Sequence, residues 1–251
     1  MLQLQNINVS VCEGAAPSRV ILRDINLHVH AGEFAVIVGG NGAGKSTLFN
    51  AIGGAIIPTA GDIIIGGENV TKLPQHKRSR YVARVVQDTA SGTMSTMTVF
   101  ENLSFAFMRG KRRKMLPYGT SARLKLFSKK LENIAMGLEK RMHDTVEKLS
   151  GGQRQIISLL MATLSPSKIL LLDEITASLD PKVSDLTMKI ANEMIERESR
   201  TTLMVTHNMS HAAGCGNRLL LLKNHHFTRD ISGNQKKNIT AAELARMVGE
   251  I

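Results

Sequence analysis

The chain has 251 residues, 43% hydrophobic and 21% charged, a composition that supports a folded domain with a buried core. No stretch approaches about 18 uninterrupted apolar residues, so no membrane-spanning helix is expected, and Cys12 and Cys215 stand too far apart to suggest a disulfide framework or a zinc site. The net charge of +11 is local: nine basic residues and no acidic one lie between Asn102 and Leu131.

In chain order, LQLQNINVSV, VILRDINLHVH and EFAVIV alternate or run apolar as strands do. The opening MLQLQNINVSV has no basic leader, so no signal peptide is expected. A glycine-rich turn follows, then a short helix over STLFNAIGG closed by Gly53 and Gly54. GDIIIGG reads as a brief strand ending in a turn, and RVVQD as another strand. From residue 89 the pattern becomes helical. Thr98 and Glu101 form a capping box before ENLSFAF, and LFSKKLENIAMGLEKRM continues as helix toward KLSGGQRQ. Strand and helix then alternate: KILLLDE, a helix over PKVSDLTMKIANEMIER, TTLMVTH and RLLLLK. A second capping box, Thr240 with Glu243, opens a last helix. Buried strands alternating with helices indicate a parallel α/β sheet, with residues 89–165 as a helical insertion in a core made of 1–88 and 166–251.

The basic run comprises Arg109, Lys111, Arg112, Arg113, Lys114, Arg123, Lys125, Lys129 and Lys130. Such a patch suits an anionic membrane surface, an acidic partner or a solvated helical face. Nucleic acid is disfavoured, because Tyr118 and Phe127 are too few aromatics for a base-stacking platform.

Two stretches look built for anions. GGNGAGKST, residues 39–47, fits the phosphate-loop pattern between a hydrophobic strand and a helix. Its backbone N–H groups converge on phosphate oxygens, Lys45 reaches the β- and γ-phosphates, and the Ser46 hydroxyl suits Mg²⁺. LLLDE places Asp173 at the end of a buried strand to hold the metal shell, with Glu174 beside it as a base for an attacking water. KLSGGQRQ is the second phosphate-cradling start, a helix N-terminus without a lysine.

In this order the motifs resemble those of the ATP-binding-cassette (ABC) ATPases over nearly the whole chain. GGNGAGKST looks like the Walker A loop: Gly39, Gly40, Asn41, Gly42, Ala43, Gly44, Lys45, Ser46 and Thr47. LLLDE looks like Walker B, LSGGQ at 149–153 like the family signature, and Gln87 like the Q-loop glutamine. SLD at 178–180 resembles the D-loop and His207 the switch histidine. The resemblance implies a P-loop NTPase fold of α/β class: a RecA-like parallel core, an N-terminal antiparallel β subdomain and an inserted helical subdomain. It implies ATP and Mg²⁺ as cofactors, with Ser46, Asp173 and Gln87 toward the metal. Glu174, His207 and Gln87 would be the catalytic residues. Two cassettes would pair head to tail, so that Ser150, Gly151, Gly152, Gln153 and Asp180 of one copy complete the ATP site of the other.

One departure stands out. The family usually stacks adenine on an aromatic ring near the end of the first strand, whereas VSVCEGAAPS contains none; either Cys12 fills that slot or another residue packs against the base. Stacking contributes about 0.5–1.5 kcal/mol for aromatic pairs, so weaker and less base-selective binding is expected.

A single motif set implies that the second cassette comes from another chain, expected to be a second copy of this one; with no membrane-spanning stretch, a separate integral membrane permease is expected, and this chain is expected to sit peripherally at the cytoplasmic face of the plasma membrane. SRYVARVVQD, MSTMTVFENLSFA, RGKRRK and LSGGQRQIISLLMATL resemble importer ATPases that work with a branched-chain-amino-acid-type permease and a lipoprotein-like binding protein. Some members are linked to aromatic amino acids such as tryptophan. An iron–sulphur cluster-assembly ATPase of the same length is the alternative. Chromosome-structure ATPases are excluded by the lack of sustained heptads, translation factors by the single motif set, and non-hydrolytic cassettes by Glu174.

Overall fold

The computed structural model describes residues 1–11, 19–109, 120–134, 136–164 and 166–249. Cys12 and the basic residues Lys111, Arg112, Arg113 and Lys114 lie outside them. The strands are β1 (Leu2–Val11), β2 (Arg19–Val29), β3 (Phe34–Val38), β4 (Ala60–Ile65), β5 (Glu68–Asn69), β6 (Val82–Val85), β7 (Ile169–Asp173), β8 (Thr202–Val205), β9 (Arg218–Lys223) and β10 (His226–Ser232). The helices are α1 (Lys45–Gly53), α2 (Gln75–Arg78), α3 (Thr89–Gly92), α4 (Val99–Phe107), α5 (Ser121–Glu132), α6 (Gly151–Thr163), α7 (Pro181–Arg197), α8 (Met209–Gly214), α9 (Gly233–Asn238) and α10 (Ala241–Val248).

The chain divides into two compact units. The first takes Met1–Arg84, Ser167–Glu174 and Met194–Ile251. One of its sheets runs β2-β1-β4-β5 with antiparallel ladders. The other runs β10-β9-β3-β8-β7-β6, with β3 parallel to β8 and β9, β7 parallel to β8, and β10 antiparallel to β9. Every residue of β3, β7 and β8 is buried, as continuous apolar strands in a parallel sheet should be. Leu2, Ile7, Ile25, Ile37, Phe49, Ile63 and Leu171 belong to one core cluster. Each fully buried aliphatic side chain there contributes roughly 1.5–3 kcal/mol.

The β1–β2 ladder contains a local device written twice in the sequence, as NIN at 6–8 and DIN at 24–26. Asn6 and Asp24 adopt left-handed backbones (φ 50° and 46°), which short polar side chains tolerate. The Asn6 N–H donates to Asn26 Oδ1 and the Asp24 N–H to Asn8 Oδ1, so each strand's asparagine satisfies the irregularity in the other.

The second unit takes Val85–Pro166 and Ile175–Glu193. Helix α4 begins with the expected Thr98–Glu101 capping box and packs on α6 and α5. Phe127, buried on α5, sets its ring 5.9 Å from both Phe100 and Phe107. The basic face of α5 is not uniformly solvated. Lys125 and Lys129 are exposed, whereas Arg123 lies 5.7 Å over the Phe107 ring.

Three elements differ from expectation. The strand expected over RVVQD ends at Val85, so Gln87 lies beyond it. The helix expected through LFSKKLENIAMGLEKRM stops at Glu132, and only a 3₁₀ turn, Leu138–Arg141, follows the left-handed Gly137. Finally, HFTRDIS forms β10, joined to β9 by a two-residue turn in which Asn224 and His225 both have positive φ (51° and 71°).

Arg78, at the end of α2, is fully buried. Its Nη1 donates to the carbonyls of Ala51 and Ile52 at the end of α1, and its Nη2 to those of Val70 (2.6 Å) and Thr71 (2.7 Å). Burial pulls its pKa below the usual arginine value, yet the four carbonyls keep the cation solvated by protein. The side chain also closes the last turn of α1, where helix carbonyls lack intrahelical partners. Arg78→Leu strips these carbonyls of their donors and should cost about 3 kcal/mol, read as a lower urea midpoint with an unchanged slope.

Candidate functional site

In the first unit, three parallel strands end at one level. Ile37 pairs with Val205, and Val205 with Asp173. The residues just past those pairs are the phosphate loop, Glu174 and His207. Ligand sites of α/β sheets lie at this carboxyl edge.

The loop turns through Gly42 and Gly44, both with positive φ, and α1 starts at Lys45. Gly44 combines a left-handed backbone (φ 102°) with close contact, since a Cβ there would meet Leu22 Cδ2 at 2.7 Å and the Ile21 carbonyl at 2.8 Å. Only glycine lets β2 lie directly against the loop. Lys45 is 5% exposed, and its Nζ donates to the carbonyls of Gly39 (2.7 Å) and Gly40 (2.9 Å). The ammonium is thereby folded back over the loop.

Asp173 is 9% exposed at the end of β7. Arg84 of β6 forms an ion pair with Asp173 Oδ2 and donates from its other terminal nitrogen to Asn50 Oδ1 of α1 (2.7 Å). A strand, the loop's helix and the acidic strand end are thus tied at one guanidinium. Glu174 has a left-handed backbone (φ 48°), unusual for a non-glycine residue, and its N–H donates to the Val205 carbonyl (3.0 Å). Its Oε1 is 2.7 Å from His207 Nε2. The carboxylate and imidazole are therefore already joined.

Asn41 through Thr47, Arg19 and Ile21 of β2, Glu174 and His207 line one open cavity of about 340 Å³. Of the residues expected from sequence, the loop from Asn41 onward, Glu174 and His207 share it. Arg84, Asn50, Arg19 and Ile21 were not anticipated. For Arg84 a signal existed, a charge inside the otherwise apolar VARVV.

Gly39, Gly40 and Asp173 belong to the same unit but do not line the cavity, whereas Gln87, Ser150, Gly151, Gly152, Gln153 and Asp180 lie in the second unit. Ser150 Oγ accepts from the Gln153 N–H (3.3 Å) and Gln153 Oε1 from the Ser150 N–H (3.2 Å), a reciprocal capping box at the start of α6. Arg141 also donates to Gln153 Oε1 (3.0 Å). At Gly152 a Cβ would stand 2.2 Å from Val183 Cγ1, so this glycine admits α7. Asp180 Oδ1 accepts from the Val183 N–H (3.2 Å). Gln87 is exposed, and the carbonyl of the preceding Val86 accepts from Gln155 Nε2 (3.4 Å) on α6.

A hydroxyl at Ser46 and a single nearly buried carboxylate at Asp173 are a sparse, all-oxygen donor set. No group of three or more His, Cys, Asp or Glu side chains among the described residues forms a protein cage. That fits Mg²⁺, which keeps waters and phosphate oxygens in its shell, and does not fit zinc. No helix among the described residues is long and apolar enough to cross a membrane.

The family model for ABC transporters matches residues 22–177. A tyrosine transport ATP-binding protein of Clostridioides difficile is 40% identical over 247 residues, covering 97% of each chain. The methionine import ATP-binding protein MetN of Vibrio vulnificus is 30% identical over 213 residues, 83% of this chain and 58% of that longer protein. Among solved structures, a dimeric ATP-binding cassette in a post-hydrolysis state with ADP and phosphate superposes with a TM-score of 0.76 at 26% identity, over 92% of this chain and 98% of that one.

Arg84→Leu leaves the Asp173 carboxylate largely withdrawn from water without its counter-ion. Breaking fully buried pairs costs 3–5 kcal/mol, and partial exposure reduces this to about 2 kcal/mol. Urea unfolding at neutral pH should show that loss, and Arg84→Lys should recover part of it.

Proposed function

We propose that this chain, which belongs to the ABC transporter family, is the motor subunit of an importer for a small solute of the amino-acid class. It is an ATPase. The observation that carries the reading is the shared cavity of phosphate loop, Glu174 and His207, joined to a whole-length relationship with a tyrosine transport ATP-binding protein. Import relatives favour this reading over iron–sulphur cluster assembly.

In the proposed cycle, phosphate oxygens replace the Gly39 and Gly40 carbonyls as partners of Lys45, and the loop N–H groups of Gly40 to Thr47 cradle the β-phosphate. Ser46 and Asp173, with Gln87, would hold Mg²⁺, whose charge offsets that of the phosphates. Arg84 keeps one oxygen of Asp173 occupied, so the carboxylate presents its other oxygen in a defined direction. Glu174 takes the proton of the attacking water, and His207, already hydrogen-bonded to it, holds its orientation and contacts the γ-phosphate.

The active form is a pair of copies. The N-terminus of α6, with Ser150, Gly151, Gly152 and Gln153, closes on the γ-phosphate held by the other copy, using the partial positive charge of a helix start. Asp180 lies on the same route between copies. A separate permease, of the branched-chain-amino-acid type, receives the work at the cytoplasmic face of the membrane, and an extracytoplasmic binding protein delivers the solute.

Two measurements test this. Glu174→Gln should lower ATP turnover at least about 100-fold while ATP binding persists. Lys45→Ala and Ser150→Arg should each abolish turnover alone, whereas an equimolar mixture should recover part of it, because a mixed pair contains one intact composite site. Persistent inactivity of the mixture, with mixed pairs shown to form, would overturn the pairing.

A further inference from the structure

The phosphate end of the cavity is defined by Lys45, Glu174 and His207, which leaves the wall outside the phosphate loop and these groups to receive the nucleoside. That wall is strand β2. Arg19 and Ile21 line the cavity, and being two residues apart in a strand they project from the same face. Leu22, on the other face, is fully buried in the core. Packing and hydrogen bonds set this placement. Gly44 admits β2 against the phosphate loop. The β9–β10 turn holds the strand from outside, with the Arg23 N–H donating to the His225 carbonyl (2.8 Å) and His225 Nδ1 lying 3.0 Å from the Ile21 carbonyl. Val11 pairs with Arg19 across the β1–β2 ladder and is 40% exposed, so an apolar edge stands beside the guanidinium.

No aromatic side chain is among the described residues lining the cavity. Arg19 is exposed, and no ion pair to a carboxylate holds it among the described residues. A guanidinium is planar, weakly hydrated and attracted to π faces, so it can stack on a heterocycle as an aromatic ring does. We propose that Arg19, supported by Ile21 and Val11, is the base platform of this nucleotide site, its plane stacking on the purine. The inference rests on the reading of the cavity as a nucleotide site. It also sets the specificity: stacking on a plane is tolerant of base identity, so purine nucleotides bind through the same contact, and discrimination between ATP and GTP is weak.

The test compares Mg–ATP, Mg–GTP and Mg–tripolyphosphate binding by titration calorimetry, using the full chain and Arg19 variants. Arg19→Ala should weaken ATP and GTP about tenfold and leave tripolyphosphate unchanged. Arg19→Trp, which restores a plane without charge, should recover ATP affinity, whereas Arg19→Lys, which keeps charge without a plane, should not. Equal losses for ATP and tripolyphosphate would make Arg19 a phosphate contact and overturn the proposal. Unchanged ATP affinity in Arg19→Ala, or full recovery with Lys, would overturn it too. A parent chain that binds none of the three ligands would instead defeat the nucleotide reading itself.

Discussion

The parallel register of β3, β8 and β7 is the constraint on which the phosphate end depends. Ile37, Val205 and Asp173 stand level, so the turns leaving these strands release the loop, Glu174 and His207 at one edge. A slip of one residue would turn alternate side chains to the opposite face and carry the carboxylates away from the loop. The full burial of all three strands makes such a slip expensive. The N–H of Glu174, donating to Val205, continues the ladder one step past the strand and so orients the backbone from which the carboxylate departs.

Two arginines withdrawn from solvent hold this frame by different means. Arg78 donates from its terminal nitrogens to four backbone carbonyls and so acts as a multiple donor that closes α1. Arg84 neutralises Asp173 and binds Asn50. The first needs geometry alone, since carbonyl dipoles replace water. The second depends on charge, because an unpaired carboxylate in a medium of low polarity is costly. Both fasten the helix that begins at Lys45, one at its end through Ala51 and Ile52, the other through Asn50.

Local rules made much of this fold readable in advance. Apolar runs marked β3, β7, β8 and β9, and the capping boxes at Thr98 and Thr240 are present. Gly54, left-handed, ends α1. What escaped has physical reasons. In β10 only Ile231 is buried, so an edge strand of mostly exposed residues carries no alternation to detect. Gly137 interrupts a stretch whose composition is otherwise helical. Arg78 reads as a surface residue because nothing nearby in sequence announces carbonyls from two separate segments. The Arg84–Asp173 pair joins positions 89 apart, a separation at which residue patterns carry no information about partners. The loop, Glu174 and His207 were nameable because their chemistry is tied to short motifs, whereas the nucleoside wall on β2 came into view only with the packing of Gly44.

With Glu174 in its proposed role as the base, its left-handed backbone places function and stability in opposition at a single position. A residue held there forfeits of order 1 kcal/mol or more relative to an unstrained conformation. Glycine would relieve that strain, and asparagine would ease part of it, but neither offers a carboxylate to the water beside the phosphate loop. Selection for a sturdier chain and selection for a working one therefore pull residue 174 in different directions. A search for stabilised variants that ignored turnover would drift toward erasing the base. In the proposed cycle the strained peptide is tolerated for what its carboxylate does at the phosphate loop and not for what it adds to the fold.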